Sequence, residues 1–247
     1  MTLALFLTQP GELAHVSVGT TYVLAGPEGR HAATVKRVRP GERLYVADGA
    51  GRRLTGTVAA AEASQVRLAV EDVVDEPPPA VTITLAQALA KADRDEAAIE
   101  MATEFGVDRI IPWQADRSIV RWRGDRAAKS RQRWVETVRA AVKQSRRAWV
   151  PPLEDLVDSA ALARRAERAA ACFVLHEQAT HALAGQPMPQ VGEVLLIVGP
   201  EGGISDEEVR RFEAAGGLPV RLGATVLRAS GAGPAAIAVL SARQRWR

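Results

Sequence analysis

The most informative stretch of this chain is LLIVGPEGGISDEE, residues 195–208. Its first four residues form an apolar run typical of a buried strand, and the strand leads into a turn that contains three glycines. Ser205 is followed three residues later by Glu208, which is the pattern of a capping box at the start of a helix. Acidic residues in the first turn also suit the positive end of the helix dipole. The segment therefore predicts a strand, a glycine turn and a helix, the basic unit of an α/β fold.

The glycine turn is a candidate ligand loop. Glycines let the backbone approach a small molecule closely, and α/β sheets bind ligands at the carboxyl ends of their strands. The turn does not have phosphate-loop spacing, because no Gly-Lys-Ser/Thr follows it. Taken alone, it fits a structural connection as well as a binding loop. Two further predicted strands end in similar loops, one at residues 174–177 and one at 220–228, and three such ends predict one shared pocket.

Strands and helices alternate through most of the chain. The predicted strands are 81–85, 109–113, 172–176, 194–198 and 220–222. The predicted helices are 93–105, with Gly106 as a left-handed cap, and 129–145, 159–169, 206–215 and 234–244. This alternation predicts an α/β domain with a mostly parallel sheet over residues 81–247.

The N-terminal part has a different pattern. Short strands at 45–46, 54–58 and 66–70 surround a turn at 48–51, where aspartate and glycines join strands readily. We expect a small β domain over residues 1–74. The acidic stretch 71–79 contains three consecutive prolines, which supply no backbone donors, and we expect it to break the strand pattern. It predicts a linker at 75–80.

Composition excludes several classes of protein. With 47% hydrophobic and 25% charged residues, the 247-residue chain is typical of a folded soluble protein with one large domain or two smaller ones. The single cysteine, Cys172, excludes an intramolecular disulfide, and we expect it to lie inert in a buried strand. His15 and His181 lack metal-ligand spacing, so we expect no metal. No apolar run approaches the roughly 20 residues of a membrane span, which favours the cytoplasm.

Positive charge collects in the middle of the chain. The net charge is only +3, but residues 117–147 contain eleven lysines and arginines against two acids. Such a segment can neutralise nucleic-acid phosphates, although it also fits a solvated helix face. Four tryptophans lie in or beside this segment: Trp113, Trp122, Trp134 and Trp149. Their rings could stack on bases or pack in the core, and core packing is favoured for most of them.

The strand that ends in Val-Gly-Pro-Glu-Gly-Gly at 198–203, with Leu-Gly-x-x-Val-Leu-Arg at 222–228, resembles the SPOUT methyltransferases. The resemblance implies a C-terminal deep trefoil knot whose loops hold S-adenosylmethionine. Almost from end to end, the chain is similar to the bacterial family that methylates N3 of a uridine in 16S ribosomal RNA. The similarity includes the motif of an N-terminal PUA-like β-barrel at 31–42, the dipeptide Asp48-Gly49, and segments at 88–94, 102–107 and 144–146.

The resemblance assigns the cofactor site residue by residue. The implied cofactor-binding residues are Leu175, His176, Glu177, Gly199, Pro200, Glu201, Gly202, Gly203, Leu222, Gly223, Val226, Leu227 and Arg228. Methylation of N3 requires loss of the imide proton, and a cation near the uracil oxygens stabilises the charge that develops. Arg228 is the first candidate for that cation. Glu201 or His176 could take the proton, while Glu201 also fits a helix N-terminal carboxylate.

The implied partner is 16S ribosomal RNA within the small ribosomal subunit. Candidate RNA-binding residues are His31, Lys36, Arg37, Arg52, Arg53, Lys91, Arg94, Arg117, Arg121 and Arg146. Related enzymes are homodimers, and the apolar segment 235–240 is the interface candidate. The chain has Ala-Ser-Gly-Ala-Gly at 229–233, where the family usually has a Thr-Glu-Thr-Ala type sequence. Two alternatives stay open: a SPOUT methyltransferase that acts on another RNA, and a noncatalytic RNA-binding factor of ribosome assembly.

Overall fold

The computed structural model describes residues 3–91 and 93–246, apart from the side chain of Asp125. Ala92, within the family segment 88–94, and Arg247 lie outside this range. The chain divides into two compact units. One comprises residues 1–78 and 142–150, and the other comprises residues 79–141 and 151–247.

The first unit is built on a five-stranded sheet. Its elements are β1 (Ala4–Leu7), β2 (Thr21–Leu24), α1 (Gly26–Arg30), a π-helical turn (His31–Val35), β3 (Arg43–Ala47), β4 (Arg52–Glu62) and β5 (Gln65–Asp75). The strand order is β1-β3-β4-β5-β2, with β1 parallel to β3 and the other pairs antiparallel. The three predicted strands lie inside β3, β4 and β5.

The predicted break at residue 71 is wrong, because β5 continues to Asp75. Its last residue pairs with Arg52 of β4, so the ladder of backbone hydrogen bonds runs on through the acidic residues. Glu71 and Asp72 stay exposed there, and Glu71 pairs with Arg43 at 2.8 Å. The strand therefore ends just before the prolines, which have no N–H group to donate.

The second unit is an α/β layer structure. Its elements are β6 (Val81–Ala88), α2 (Arg94–Glu104), β7 (Arg109–Gln114), α3 (Asp125–Ser145), β8 (Val157–Asp158), α4 (Ser159–Ala166), β9 (Ala171–Leu175), β10 (His181–Ala182), a 3₁₀ turn (Leu183–Gly185), β11 (Gly192–Val198), α5 (Asp206–Ala214), β12 (Gly217–Arg221) and α6 (Ala229–Gln244). The last four residues of α3 belong to the first unit.

The seven strands of this unit are all parallel, in the order β10-β12-β9-β11-β6-β7-β8. The predicted parallel α/β domain is confirmed. Apolar residues of β6, β7, β9 and β11 pack with α4 and α5 on one face, where Trp113 and Phe212 meet edge to face at 5.5 Å. On the other face, α2 and α6 pack against each other and against β6. The central strands are therefore covered on both sides, as parallel sheets require.

The start of the last helix was also predicted wrongly. It begins at Ala229 and not at Pro234, which lies inside it. Proline lacks a backbone N–H and its ring crowds the carbonyl four residues earlier, but the residues before it keep their own N–H groups, so that turn can still be helical. The N–H groups of Gly231 and Ala232 close that first turn on the Arg228 carbonyl, at 2.8 and 2.9 Å. The left-handed cap at Gly106 is confirmed, with φ +99°.

Core packing is confirmed for three of the four tryptophans. Trp113, Trp122 and Trp134 are buried, and the rings of Trp122 and Trp134 meet edge to face at 5.1 Å. Trp149 is half-buried in the first unit, where its Nε1 donates to the Glu76 carbonyl at 3.0 Å. Among the helices that the structure describes, none is both long and apolar enough to cross a membrane.

Candidate functional site

A cavity of about 500 Å³ opens at the carboxyl ends of β9, β11 and β12. This volume lies within the range of small-molecule binding sites, about 300–1,000 Å³. All thirteen residues that the sequence assigned to a cofactor line it. The prediction that three strand ends share one pocket is confirmed, while the contacts of these residues with a cofactor stay a prediction.

The glycine loop, residues 199–203, needs glycine at defined positions. A Cβ atom on Gly199 would lie 2.6 Å from Cγ1 of Ile204, closer than side chains approach. Gly203 has φ +73°, in the left-handed region that side chains disfavour, and its N–H donates to the Pro200 carbonyl at 2.9 Å. The loop therefore folds back tightly on itself and presents backbone to the pocket.

The helix after the glycine loop is firmly anchored. Ser205 Oγ accepts from the Glu208 N–H at 3.2 Å, and Glu208 accepts from the Ser205 N–H at 3.0 Å, so the predicted capping box is confirmed. Glu208 is buried and also accepts from the Asp116 N–H at 2.8 Å and the Ser159 hydroxyl at 2.6 Å. These bonds tie the start of α5 to the end of β7 and to α4, which preorganises the pocket floor.

Glu201 contacts the segment between β6 and α2. Its Oε1 accepts from the Lys91 N–H at 3.1 Å and from Arg94 Nη1 at 3.2 Å. The interpretation of Glu201 as a helix N-terminal carboxylate is wrong, because α5 begins only at Asp206. Asp93, next to Arg94, has φ +58°, an uncommon conformation that is enriched at functional sites. Glu201 thus holds Arg94 at the pocket.

Four arginines line the cavity: Arg94, Arg117, Arg221 and Arg228. Arg117 Nη1 donates to the Gly202 carbonyl at 3.1 Å, and a Cβ on Gly202 would meet Arg117 Cβ at 3.2 Å. Two residues that the sequence assigned to RNA, Arg94 and Arg117, therefore lie at the same pocket as the cofactor residues. Such a set of guanidinium groups favours an anionic ligand or substrate at the pocket mouth.

Arg228 is the N-cap residue of α6 and is exposed. The loop before it carries Val226 and Leu227, which are 72% and 41% exposed. This loop also lines the pocket and offers apolar surface to a ligand.

Several other residues line the pocket but had no role predicted from the sequence: Gln178, Val198, Ile204, Asp206, Val220, Arg221, Ala224, Thr225, Ala229 and Ala232. Most of them directly adjoin the predicted strand-end loops, so the alternation of strands and loops was the signal that could have found them. Ala232 could not be predicted as a lining residue, because the last helix was expected to begin after it.

The candidate RNA residues of the first unit fall into two groups. His31 begins the π-helical turn and meets Phe6 edge to face at 6.2 Å, and Lys36 and Arg37 follow as exposed residues. Arg52 and Arg53 instead pair with acids. Arg52 Nη1 lies 2.8 Å from Asp75, while Arg53 Nη2 lies 3.2 Å from Glu76. The sites best placed for an external anion are therefore in the segment 31–37.

Arg53 also contacts Arg146, another candidate RNA-binding residue. Its Nη1 donates to the carbonyl of Arg146 at 3.0 Å, and its guanidinium lies 4.9 Å above the ring of Tyr45. Arg146 is half-buried with φ +59°. In the second unit, Lys91 and Arg121 are exposed.

Part of the positive charge on α3 is compensated within the chain. Arg131 Nη2 donates to the Leu153 carbonyl at 2.8 Å, and Arg133 pairs with Glu96 and Asp93. The charge of this helix is therefore a weaker indication of RNA binding than the sequence count suggests.

Cys172 is buried in β9, as predicted, and burial raises the pKa of its thiol to about 12. Over residues 3–91 and 93–246, no three or more histidine, cysteine or acidic side chains come together in a way that could hold a metal ion.

The chain is similar to known proteins over nearly its full length. Residues 76–241 match the family described as RNA methyltransferase domain, and residues 24–71 match the RNA methyltransferase PUA domain. Ribosomal RNA small subunit methyltransferase E of Mycobacterium tuberculosis is 42% identical over 233 residues, which cover 92% of this chain and 89% of that protein. The protein of the same name from Bacillus subtilis is 27% identical over 229 residues, 90% of each chain. The crystal structure of ribosomal RNA small subunit methyltransferase E from Neisseria gonorrhoeae, bound to S-adenosylmethionine, matches with TM-score 0.85 and 29% identity over 98% of both chains.

Proposed function

Because the chain belongs to the family of ribosomal RNA small subunit methyltransferase E, we propose that it transfers the methyl group of S-adenosylmethionine to N3 of a uridine in 16S ribosomal RNA. The observation that carries the proposal is the pocket at the ends of β9, β11 and β12. It gathers every residue that the family resemblance assigns to the cofactor. A relative that covers 98% of this chain was solved with that cofactor bound.

The pocket fits S-adenosylmethionine in size and in chemistry. Its volume of about 500 Å³ suits a molecule of this size. Gly199 and Gly202 bring the backbone close to polar groups of the cofactor, while Leu222, Val226 and Leu227 offer apolar surface to its adenosine. When bound, the cofactor supplies an electrophilic methyl group on a sulfonium.

We assign Arg228 the role of stabilising the uracil. As the imide proton leaves N3, negative charge develops on the uracil oxygens, and a nearby guanidinium lowers the energy of that state. Arg228 lies at the pocket, next to the exposed loop 222–227, and is itself exposed. It can therefore reach a nucleotide that enters from solvent.

Glu201 is the better of the two candidates for the proton acceptor. The Nδ1 atom of His176 accepts from the Gln178 N–H at 3.3 Å, so a neutral His176 carries its proton on Nε2 and has no ring nitrogen left to accept another. Oε1 of Glu201 is held by Lys91 and Arg94, which leaves Oε2 as the accepting oxygen. The two bonds to Oε1 also fix the orientation of the carboxylate, which a general base requires.

The remaining parts of the chain serve RNA binding in this proposal. We assign phosphate contacts to Lys91, Arg94, Arg117 and Arg121 in the second unit, and to the segment 31–37 with Arg52, Arg53 and Arg146 in the first. The family resemblance further implies that residues 1–74 form a PUA-like β-barrel and that 81–247 contain a deep trefoil knot. The match of 24–71 to the RNA methyltransferase PUA domain and the parallel sheet of the second unit support these assignments.

We also propose that the protein acts as a homodimer in the cytoplasm, where ribosomal RNA is available. Only part of the candidate interface 235–240 is accessible to a second copy of the chain. Ala236, Ile237 and Leu240 are buried within the chain itself, whereas Ala235, Ala238 and Val239 are partly exposed. The exposed side chains of Val226 and Leu227 would extend the apolar surface available to a second copy.

Two measurements separate this proposal from its alternatives. Calorimetric titration with S-adenosylmethionine should show saturable binding, which a noncatalytic assembly factor with a dead pocket would lack. Transfer of labelled methyl should then occur to small ribosomal subunits and not to transfer RNA. Binding with transfer only to another RNA would retain the enzyme and change its substrate.

A further inference from the structure

Gln87 is a polar residue in the interior of the second unit. It lies near the carboxyl end of the central strand β6, with Val198 of β11 and Pro112 of β7 as its strand neighbours. Its side chain is 0% exposed. Leu85 and Gln87 are two residues apart on one face of β6, and both lie beside Gly233 of α6.

The amide of Gln87 is incompletely satisfied. Its Nε2 donates to the carbonyl of Ala88 at 3.3 Å. Its Oε1 accepts no hydrogen bond from any residue that the structure describes. A buried acceptor without a partner is unfavourable, so such a group calls for a physical explanation.

The position of this oxygen connects it to the pocket. Val198, the strand neighbour of Gln87, and Ala232, the residue before Gly233, both line the cavity. Oε1 lies 3.4 Å from where a Cβ of Gly233 would be. Gln87 is therefore placed between the end of β11, which carries the glycine loop, and the start of α6, which carries Arg228.

The start of α6 offers donors for this oxygen. Arg228 at the N-cap provides no side-chain cap for the first turn. Ser230 precedes Gly233 by three residues and so lies on the same face of α6, one turn nearer the pocket. Its hydroxyl is therefore the candidate donor to Gln87 Oε1.

We propose that Gln87 is a positioning residue of the cofactor pocket. Its Oε1 accepts a hydrogen bond from Ser230 when the pocket is filled, and this bond holds the first turn of α6, with Arg228, against the end of β11. This bond then adds to the affinity for the cofactor. This inference rests on the proposed function, because it concerns the same pocket.

The substitution Gln87→Met tests it, with Leu85→Met as the matched control. Both replace a fully buried side chain on the same face of β6, and methionine has nearly the shape of glutamine without its acceptor. Calorimetry gives the Kd for S-adenosylmethionine, and thermal unfolding gives the Tm of the free protein. We expect Gln87→Met to raise the Kd about tenfold, equal to about 1.4 kcal/mol, without lowering the Tm below that of Leu85→Met. Leu85→Met should bind like the wild type.

A double-mutant cycle identifies the partner. Ser230→Ala should weaken binding in the wild type and have no further effect in Gln87→Met, because the two residues act through one bond. Wild-type affinity in Gln87→Met would overturn the inference, as would a lowered Tm with unchanged affinity, which would make the amide structural. If the wild type itself fails to bind the cofactor, the proposed function fails, and the inference falls with it.

Discussion

The substitution Gly199→Ala tests the geometry of the glycine loop with one added atom. The new Cβ would lie 2.6 Å from Cγ1 of Ile204, 3.2 Å from its backbone nitrogen and 3.3 Å from the carbonyl carbon of Gly203. Ile204 cannot move aside easily, because it is buried in the core beneath α5. The loop itself must shift. Overpacking of this kind costs about 1–3 kcal/mol. In a chain of this size the Tm should fall by roughly 2–10 °C.

The same shift should weaken cofactor binding, because the loop backbone forms one wall of the pocket. We expect a Kd for S-adenosylmethionine at least about tenfold higher, measured by calorimetry alongside the Tm. Gly185→Ala is the control, since that glycine is exposed and has no atom within 4 Å of the added Cβ. Its Tm should stay close to that of the wild type. A Gly199→Ala protein with wild-type Tm and affinity would refute the tight turn described here.

Further predictions concern the supports of the site and its chemistry. Ser205→Ala removes the cap of α5 and should lower the free energy of unfolding by about 1 kcal/mol in urea titrations; an unchanged value would show that Glu208 alone anchors the helix. Arg245→Ala removes a half-buried guanidinium that pairs with Asp108 and donates to the Val81 carbonyl at 2.7 Å, so it should cost about 2–3 kcal/mol in the same assay. Cys172, with a pKa of about 12, should resist thiol reagents at pH 8 until the protein is unfolded, and rapid labelling of the native protein would contradict its burial. Glu201→Gln should slow methyl transfer at least about 100-fold if the carboxylate takes the proton, and a near-normal rate would exclude that role.

The sequence was a good guide wherever local chemistry decides the structure. The apolar run before Gly199 and the pair Ser205 and Glu208 specify a strand, a turn and a capped helix without help from distant residues. Gly106 specifies the end of α2 in the same way, because only glycine adopts its backbone conformation at low cost. The pocket could be predicted because it lies where consecutive loops follow parallel strands.

Contacts between distant segments could not be predicted from the sequence. The pairing of β6 with β11 joins residues more than a hundred positions apart, and it brings Arg94 to Glu201. Arg117 likewise reaches the glycine loop only through the fold. Gln87 is buried because α6 covers it. The start of this helix was not predicted correctly, because Pro234 was taken as its first residue.

Methyl transfer to N3 of a uridine in 16S ribosomal RNA can be measured in a single assay. Purified protein is incubated with labelled S-adenosylmethionine and small ribosomal subunits that lack the modification, and the nucleosides of the product are analysed. We predict labelled 3-methyluridine in 16S RNA with the wild type and with Arg243→Ala, an exposed arginine on α6 outside the pocket. Arg228→Ala should lose it. Cofactor binding with no label in 16S RNA, or with the label in a different nucleoside, would contradict the account.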